Sequence, residues 1–153
     1  MKTSRRPSQT KAYTSANNNN SITIKNRIMI KKVHTDNAPQ AIGPYSQAII
    51  CGNMLFTSGQ IAINPATGEV EATDIEGQTT QVMKNLEAVL TEAGTTFENV
   101  VKTTCFLKDK GDFAAINKIY AESFTSKPAR SCVAAKTLPK DVLVEVEVIA
   151  LIK

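Results

Sequence analysis

From residue 29 onward the chain switches between two spacings of apolar residues, and each stretch of constant spacing predicts an element. Ile30–Val33 is short and apolar at both ends and reads as a strand. Ala38–Tyr45 contains Pro39, Gly43 and Pro44 and reads as a loop. Ser46–Cys51 and Met54–Ser58 are β-like runs on either side of Gly52-Asn53, a hairpin signal. A turn is expected at Pro65–Gly68, and Thr73-Asp74-Ile75-Glu76 has the form of a capping box that opens a helix. Val82, Leu86, Val89, Leu90 and Ala93 then recur at helical spacing, and Gly94 supplies a C-terminal stop. Val100–Lys108 alternates as a strand. Asp109 to Asp112 opens a second helix with the apolar stripe Phe113, Ile116, Tyr120 and Phe124. Ser131–Ala135 and Val142–Ile152 are the last strands.

The predicted order is β-β-β-α-β-α-β-β, an α+β fold in which two helices cover one face of a mixed six-stranded sheet. In the last strand Val142, Val144, Val146, Val148 and Ala150 point one way, towards the helices. Leu143, Glu145, Glu147, Ile149 and Leu151 form the other face, which is too apolar to be left in water. With no third helix to cover it, self-association is expected.

Candidate chemistry concentrates in the last two strands. Arg130 stands in Pro128-Ala129-Arg130-Ser131-Cys132-Val133, and Glu145 in Leu143-Val144-Glu145-Val146-Glu147-Val148. A guanidinium in an apolar strand matches a carboxylate with two parallel hydrogen bonds. A half-buried glutamate is a candidate proton acceptor. Together they point to a pocket for a small carboxylic acid with a base beside it. An intramolecular Arg130–Glu145 ion pair is the plainer alternative. Glu147 on the same strand face suits an ordinary surface role.

Composition narrows the remaining classes. The chain has 153 residues, one domain's worth. No apolar run approaches the ~20 residues of a membrane-spanning helix, so no membrane association is expected. Cys51, Cys105 and Cys132 cannot all pair within the chain, and their apolar surroundings point to buried free thiols in a reducing, cytoplasmic setting. A single histidine, His34, leaves no means of building a multi-histidine metal site or, placed in a polar edge segment, a convincing triad. The formal charge of +4 comes from residues 1–28, which hold six basic and no acidic residues. Without them the 18 basic residues fall to 12 against 14 acidic ones, a net of −2 over 29–153, and nucleic acid is not an expected partner. Residues 1–28, with Asn17-Asn18-Asn19-Asn20, read as a basic, Asn/Ser-rich disordered leader apart from the 29–153 domain. A disordered tail, an organelle transit peptide (hence a matrix location) and a start codon placed ahead of Met29 remain open.

The domain resembles the RidA (YjgF) family of enamine/imine deaminases. The resemblance covers Met29–Lys153 and rests on five blocks in order: Ala41 to Ala48, Thr57 to Ile61, Asp112-Phe113 through Asn117 and Tyr120, Pro128 to Val133 with Leu138-Pro139, and Val144 to Glu147. It implies a chorismate-mutase-like fold and a homotrimer with sites between subunits. It also implies hydrolysis of 2-iminopropanoate, 2-iminobutanoate and their 2-aminoacrylate-type enamine tautomers to 2-keto acid and ammonia, with no cofactor. These imines arise from PLP-dependent serine and threonine dehydratases, which links the family to metabolite damage control. By the same resemblance Arg130 grips the substrate carboxylate, Glu145 stands at the hydrolytic water, and Tyr45 and Ser58 hydrogen-bond substrate or water. Gly59 permits close backbone approach, Asn117 holds Arg130 or its loop, and the backbone of Cys132 helps to bind the carboxylate. Two alternatives are carried with it: a ligand-binding or chaperone-like trimer using the same cleft, and the ribonuclease or translation-inhibitor activity attributed to relatives.

Overall fold

The structure, a computed structural model of the chain, describes residues 29–153. The expectations for residues 1–28 lie outside the described residues. Six strands and two α-helices follow in the predicted order: β1 (Ile30–Val33), β2 (Ala48–Cys51), β3 (Met54–Thr57), α1 (Ile75–Glu92), β4 (Val100–Leu107), α2 (Phe113–Ser123), β5 (Ala129–Ala134) and β6 (Val144–Leu151). They form one mixed sheet in the order β1-β2-β3-β6-β4-β5. All neighbours are antiparallel except β4 and β5, which run parallel with α2 as their crossover.

The alternation expected of the last strand is present. Val144, Val146, Val148 and Ala150 are fully buried, together with Val82, Leu86, Val89 and Leu90 of α1, Ile116 of α2 and Phe124 at the C-cap of α2. Both helices therefore lie on this face, where non-polar side chains of sheet and helix leave water together. On the other face Glu145, Glu147, Ile149 and Leu151 are only half-buried, and Phe56 beside Ile149 and Val133 in register with Phe106 and Glu145 are exposed.

Several boundaries move for physical reasons. The N-cap of α1 is Asp74 rather than Thr73: its Oδ1 accepts from the Gly77 amide at 2.8 Å, so the capping-box spacing is offset by one residue. Gly94 follows the C-cap Ala93 in the left-handed region (φ 79°), the role assigned to it. Strand β6 starts at Val144 rather than Val142, because Pro139–Asp141 makes a 3₁₀ turn with Lys140 and Asp141 at positive φ. Strand β5 begins at Ala129 and so contains Arg130. Phe113, read as part of the core stripe of α2, is 43% exposed, since it sits at the open end of the helix beside Arg130.

One register shift matters for the site. Phe56 pairs with Ile149, but the next bridge joins Gln60 to Val146. Residues 57, 58 and 59 thus face only 147 and 148, the count of a β-bulge. Thr57 fills the break with its own side chain: Oγ1 accepts from the Val148 amide at 2.9 Å. Truncating Leu86, fully buried between helix and sheet, should cost about 2–5 kcal/mol of stability. Urea unfolding of Leu86→Ala at fixed protein concentration checks this.

Candidate active site

The cationic half of the site is built by β5 and α2. Arg130 is in register with Thr103 of β4, which is in register with Val148 of β6, so its side chain rises on the helix-covered face. Phe113, Asn117 and Tyr120 stand at i, i+4 and i+7 of α2 and therefore share one side of that helix. The guanidinium carbon of Arg130 lies 4.7 Å from the Tyr120 ring centroid and 5.3 Å from that of Phe113, a double cation–π contact. Arg130 Nη1 donates to Asn117 Oδ1 at 2.7 Å. Tyr120 is itself fixed, its hydroxyl bonded to Thr103 Oγ1 at 2.8 Å and its ring packed 4.2 Å from that of Phe124. Among the described residues no carboxylate forms an ion pair with Arg130. Of its five N–H donors the Asn117 bond engages one, and the side chain borders a cavity of about 570 Å³ with Asn117, Lys127 and Pro128 on its walls.

The basic half lies on the opposite face of the sheet. Glu145 is in register with Phe106, one position out of phase with the buried valines of β6. Burial and the neighbouring Glu147 carboxylate push the Glu145 carboxyl above its ordinary value. The bulge brings Gly59 directly beneath it: a Cβ at this position would run into the Glu145 carboxylate, so close approach requires glycine here. Ser58 Oγ donates to the Ser46 carbonyl at 2.6 Å, which commits its proton and leaves its lone pairs to accept. The Tyr45 oxygen accepts from the Ile42 amide at 3.3 Å, which leaves the phenol proton free to donate. Ser58, Gly59, Tyr45 and Glu145 line one cavity of about 470 Å³, closed by Ile42, Ile61 and Pro139.

The seven expected site residues thus fall into two groups. Arg130 and Asn117 meet on the helix-covered face, and Cys132 points to that face as well. Tyr45, Ser58, Gly59 and Glu145 meet on the other. Within the chain their register puts Arg130 and Glu145 on opposite faces of the sheet, so the alternative of an ion pair between them does not hold. Cys132 is in register with Cys105 of β4. Burial raises both thiols, Cys105 to about 12, so neither is poised as a nucleophile.

Four contributors were not singled out from the sequence. Phe113 and Tyr120 were read as core, although their helical spacing from Asn117 carries the signal. Gln47, only 2% exposed, accepts from the Thr35 amide at 2.7 Å and donates to the carbonyls of Thr35, Ala38 and Pro39, which ties down the loop leading to Tyr45. Asn85 of α1, fully buried, donates to the carbonyls of Ile61 and Ile63, each at 2.9 Å. Among the described residues no cluster of His, Cys, Asp and Glu could hold a metal ion, and no helix is long and apolar enough to cross a membrane.

An α+β sheet layered by two helices on one side carries an arginine that pairs with no carboxylate among the described residues and a glutamate seated on a glycine, a layout suited to binding a small molecule. The family model described as Endoribonuclease L-PSP matches residues 35–152, and the chain belongs to this family, the RidA family of the resemblance above. It is 54% identical over 123 residues to a RutC family protein of Pyrococcus horikoshii, covering 80% of this chain and 98% of that one. It is 50% identical over 126 residues to the 2-iminobutanoate/2-iminopropanoate deaminase of Escherichia coli, again covering 80% and 98%. The crystal structure of Escherichia coli TdcF with bound serine superposes with a TM-score of 0.76 at 42% identity, covering 80% of this chain and 99% of that one.

Replacing Gly59 by alanine tests the seating of Glu145. The backbone there is not in the left-handed region, so the added methyl acts by collision alone. Gly59→Ala should keep its far-UV circular dichroism while the Glu145 carboxyl, displaced into water, titrates nearer the ordinary glutamate range by carbon NMR. A wild-type titration curve would count against this seating.

Proposed function

We propose that this protein is a cofactor-independent hydrolytic deaminase of short 2-imino acids and their enamine tautomers. The carrying observation is the Arg130 guanidinium, fixed by two aromatic rings and Asn117 yet paired with no carboxylate among the described residues. Such a cation calls for a carboxylate from outside. The deaminase name of the Escherichia coli relative supports the reading.

The two half-sites face away from each other across the sheet, so a substrate can reach both only at a junction between chains. We therefore take the active form to be a homotrimer in which Arg130 of one subunit faces Glu145 of the next, with the half-exposed Phe56, Ile149 and Leu151 surface at the contacts. Arg130 holds the substrate carboxylate, helped by the backbone at Cys132. The Glu145 carboxylate takes a proton from water as its oxygen bonds to the imine carbon. The same proton passes to nitrogen to give the carbinolamine; Glu145 then takes the carbinolamine hydroxyl proton and delivers it to nitrogen as the C=O bond forms and the C–N bond breaks, so that ammonia and the 2-keto acid leave. With its own proton committed, Ser58 accepts from the substrate N–H, and Tyr45 donates to the developing alcohol oxygen. Glu145 can also move a proton between carbon and nitrogen when the enamine binds. The protein would act where PLP-dependent dehydratases release these imines, in the cytoplasm, or in an organelle matrix should residues 1–28 be a transit peptide.

A threonine dehydratase reaction containing semicarbazide tests the activity. Wild-type protein should divert imine from semicarbazone to free keto acid, and Arg130→Ala should do so about a hundredfold less well. An unchanged semicarbazone yield with wild type would remove the deaminase reading and favour a binding module. Mixing Arg130→Ala with Glu145→Gln chains under exchange should restore roughly a quarter of the sites if each takes one residue from each of two chains. A site within one chain would give no restoration.

The pH profile follows from the raised Glu145 carboxyl. Catalysis needs the ionised form, so activity should fall as pH drops through a value above the ordinary glutamate range. Glu145→Gln should lose about two to four orders of magnitude in rate and this acid limb with it. Steady-state rates across the acid range provide the check.

A further inference from the structure

Glu145 shares the open face of β6 with a second carboxylate. Glu147 follows it by two residues, ~7 Å along the strand, and is half-buried as Glu145 is. Neither forms an ion pair among the described residues. A cation nonetheless stands within reach. Ile149, Lys102 and Ala129 form one row across β6, β4 and β5, and Glu147, Thr104 and Ser131 form the next. Lys102 is therefore the diagonal neighbour of Glu147 on one flank and of Ser131 on the other, a step that long side chains can span. Its Nζ takes the Ser131 side, donating to Oγ at 2.8 Å, and so leans away from β6. Among the described residues the other elements set no second cation in the Glu147 row. Strand β3 brings Met54 and Phe56 to this face, and the bulge brings Ser58 and Gly59 to the Glu145 cavity. Tyr45 borders that cavity from its loop, and Lys140 borders the adjoining one.

We infer that Glu147 is a positioning residue for the deaminase reaction: its unneutralised charge favours the proton-carrying state of Glu145 in each transfer, and Ser131 holds Lys102 back from cancelling it. The inference rests on the deaminase reading and assigns the strength of its base to a second carboxylate. A like charge at this separation makes a carboxyl harder to ionise, in line with the raised Glu145 described above. An acceptor that holds its proton more firmly, while still ionised at neutral pH, is the better general base. For stability alone the pair is a liability, because like charges on neighbouring positions of one sheet face repel. Turning Lys102 to Glu147 would relieve that repulsion, and the Ser131 bond keeps it turned the other way.

Carbon NMR of full-length protein labelled at glutamate Cδ, with the Glu145 signal assigned from Glu145→Gln, reads the Glu145 titration midpoint. The semicarbazide competition at each pH, relative to the dehydratase alone, reads the acid limb of activity. Glu147→Gln should lower both together, so that one pH unit below the wild-type midpoint it keeps roughly threefold more of its plateau activity than wild type does. Glu147→Asp, which retains the charge, should stay near wild type. Lys102→Met should leave the midpoint in place, and at a half-exposed position it tests the same arrangement should Glu147→Gln not fold. An unmoved midpoint in Glu147→Gln, or one as low in Glu147→Asp, overturns the coupling of the two carboxylates. A midpoint raised in Lys102→Met shows the lysine already cancelling Glu147 and overturns the inference as well. A lowered midpoint with an unmoved acid limb removes Glu147 from the reaction while leaving the deaminase intact. Failure of wild type to divert any imine overturns the deaminase reading itself, whatever the midpoints do, and the role of Glu147 falls with it.

Discussion

Everything at the site depends on the pairing of β6 between β3 and β4. A strand flanked on both sides cannot turn, so its alternation is fixed: valines towards the helices, carboxylates and aliphatic groups away from them. The same pairing carries the register outward to β5, where it commits Arg130 to the helix-covered face. A shift of one residue in β6 would bury Glu145 under α1 and expose the valines. The core and the chemistry are thus two readings of one ladder of hydrogen bonds.

The bulge at residues 57–59 is the local exception. An unbroken ladder from β3 would place a side chain under the Glu145 carboxylate. The extra residue, with Thr57 satisfying the interrupted backbone, lets glycine occupy that spot. The carboxylate then rests on bare backbone in partly desolvated surroundings, which is the cause of its raised proton affinity. On the other face, aromatic rings accommodate the Arg130 charge without neutralising it. An acidic partner would have stabilised the cation at the expense of the ligand.

Much of this was legible in the sequence. The strand and helix order followed from spacing, because amphipathic α1 and β6 each obey a single period over many residues. The seven candidate residues could be named from motifs together with their residue chemistry. Their distribution could not, because it depends on how β5 pairs with β4: strand alternation places Arg130 on a face only once the register is known. Phe113 was misread because an aromatic residue at core spacing looks the same whether it meets a leucine or a guanidinium. Gln47 and Asn85 escaped notice because a buried amide is betrayed only by the carbonyls it reaches, and those lie 8 to 24 residues away.

The paired thiols of β4 and β5 acquire a meaning from the chemistry proposed beside them. The imine tautomers of such enamines are electrophiles at the carbon that bears nitrogen, and a thiolate would add there. Cys132 follows Arg130 by two residues, so an ionised sulfur there would be a target at each encounter. Burial withholds the charge: with Cys105 at about 12 and Cys132 also raised, the sulfurs stay protonated at neutral pH and react slowly. The protein can thus keep polarizable, close-packing sulfur next to a reactive metabolite without becoming one of its casualties.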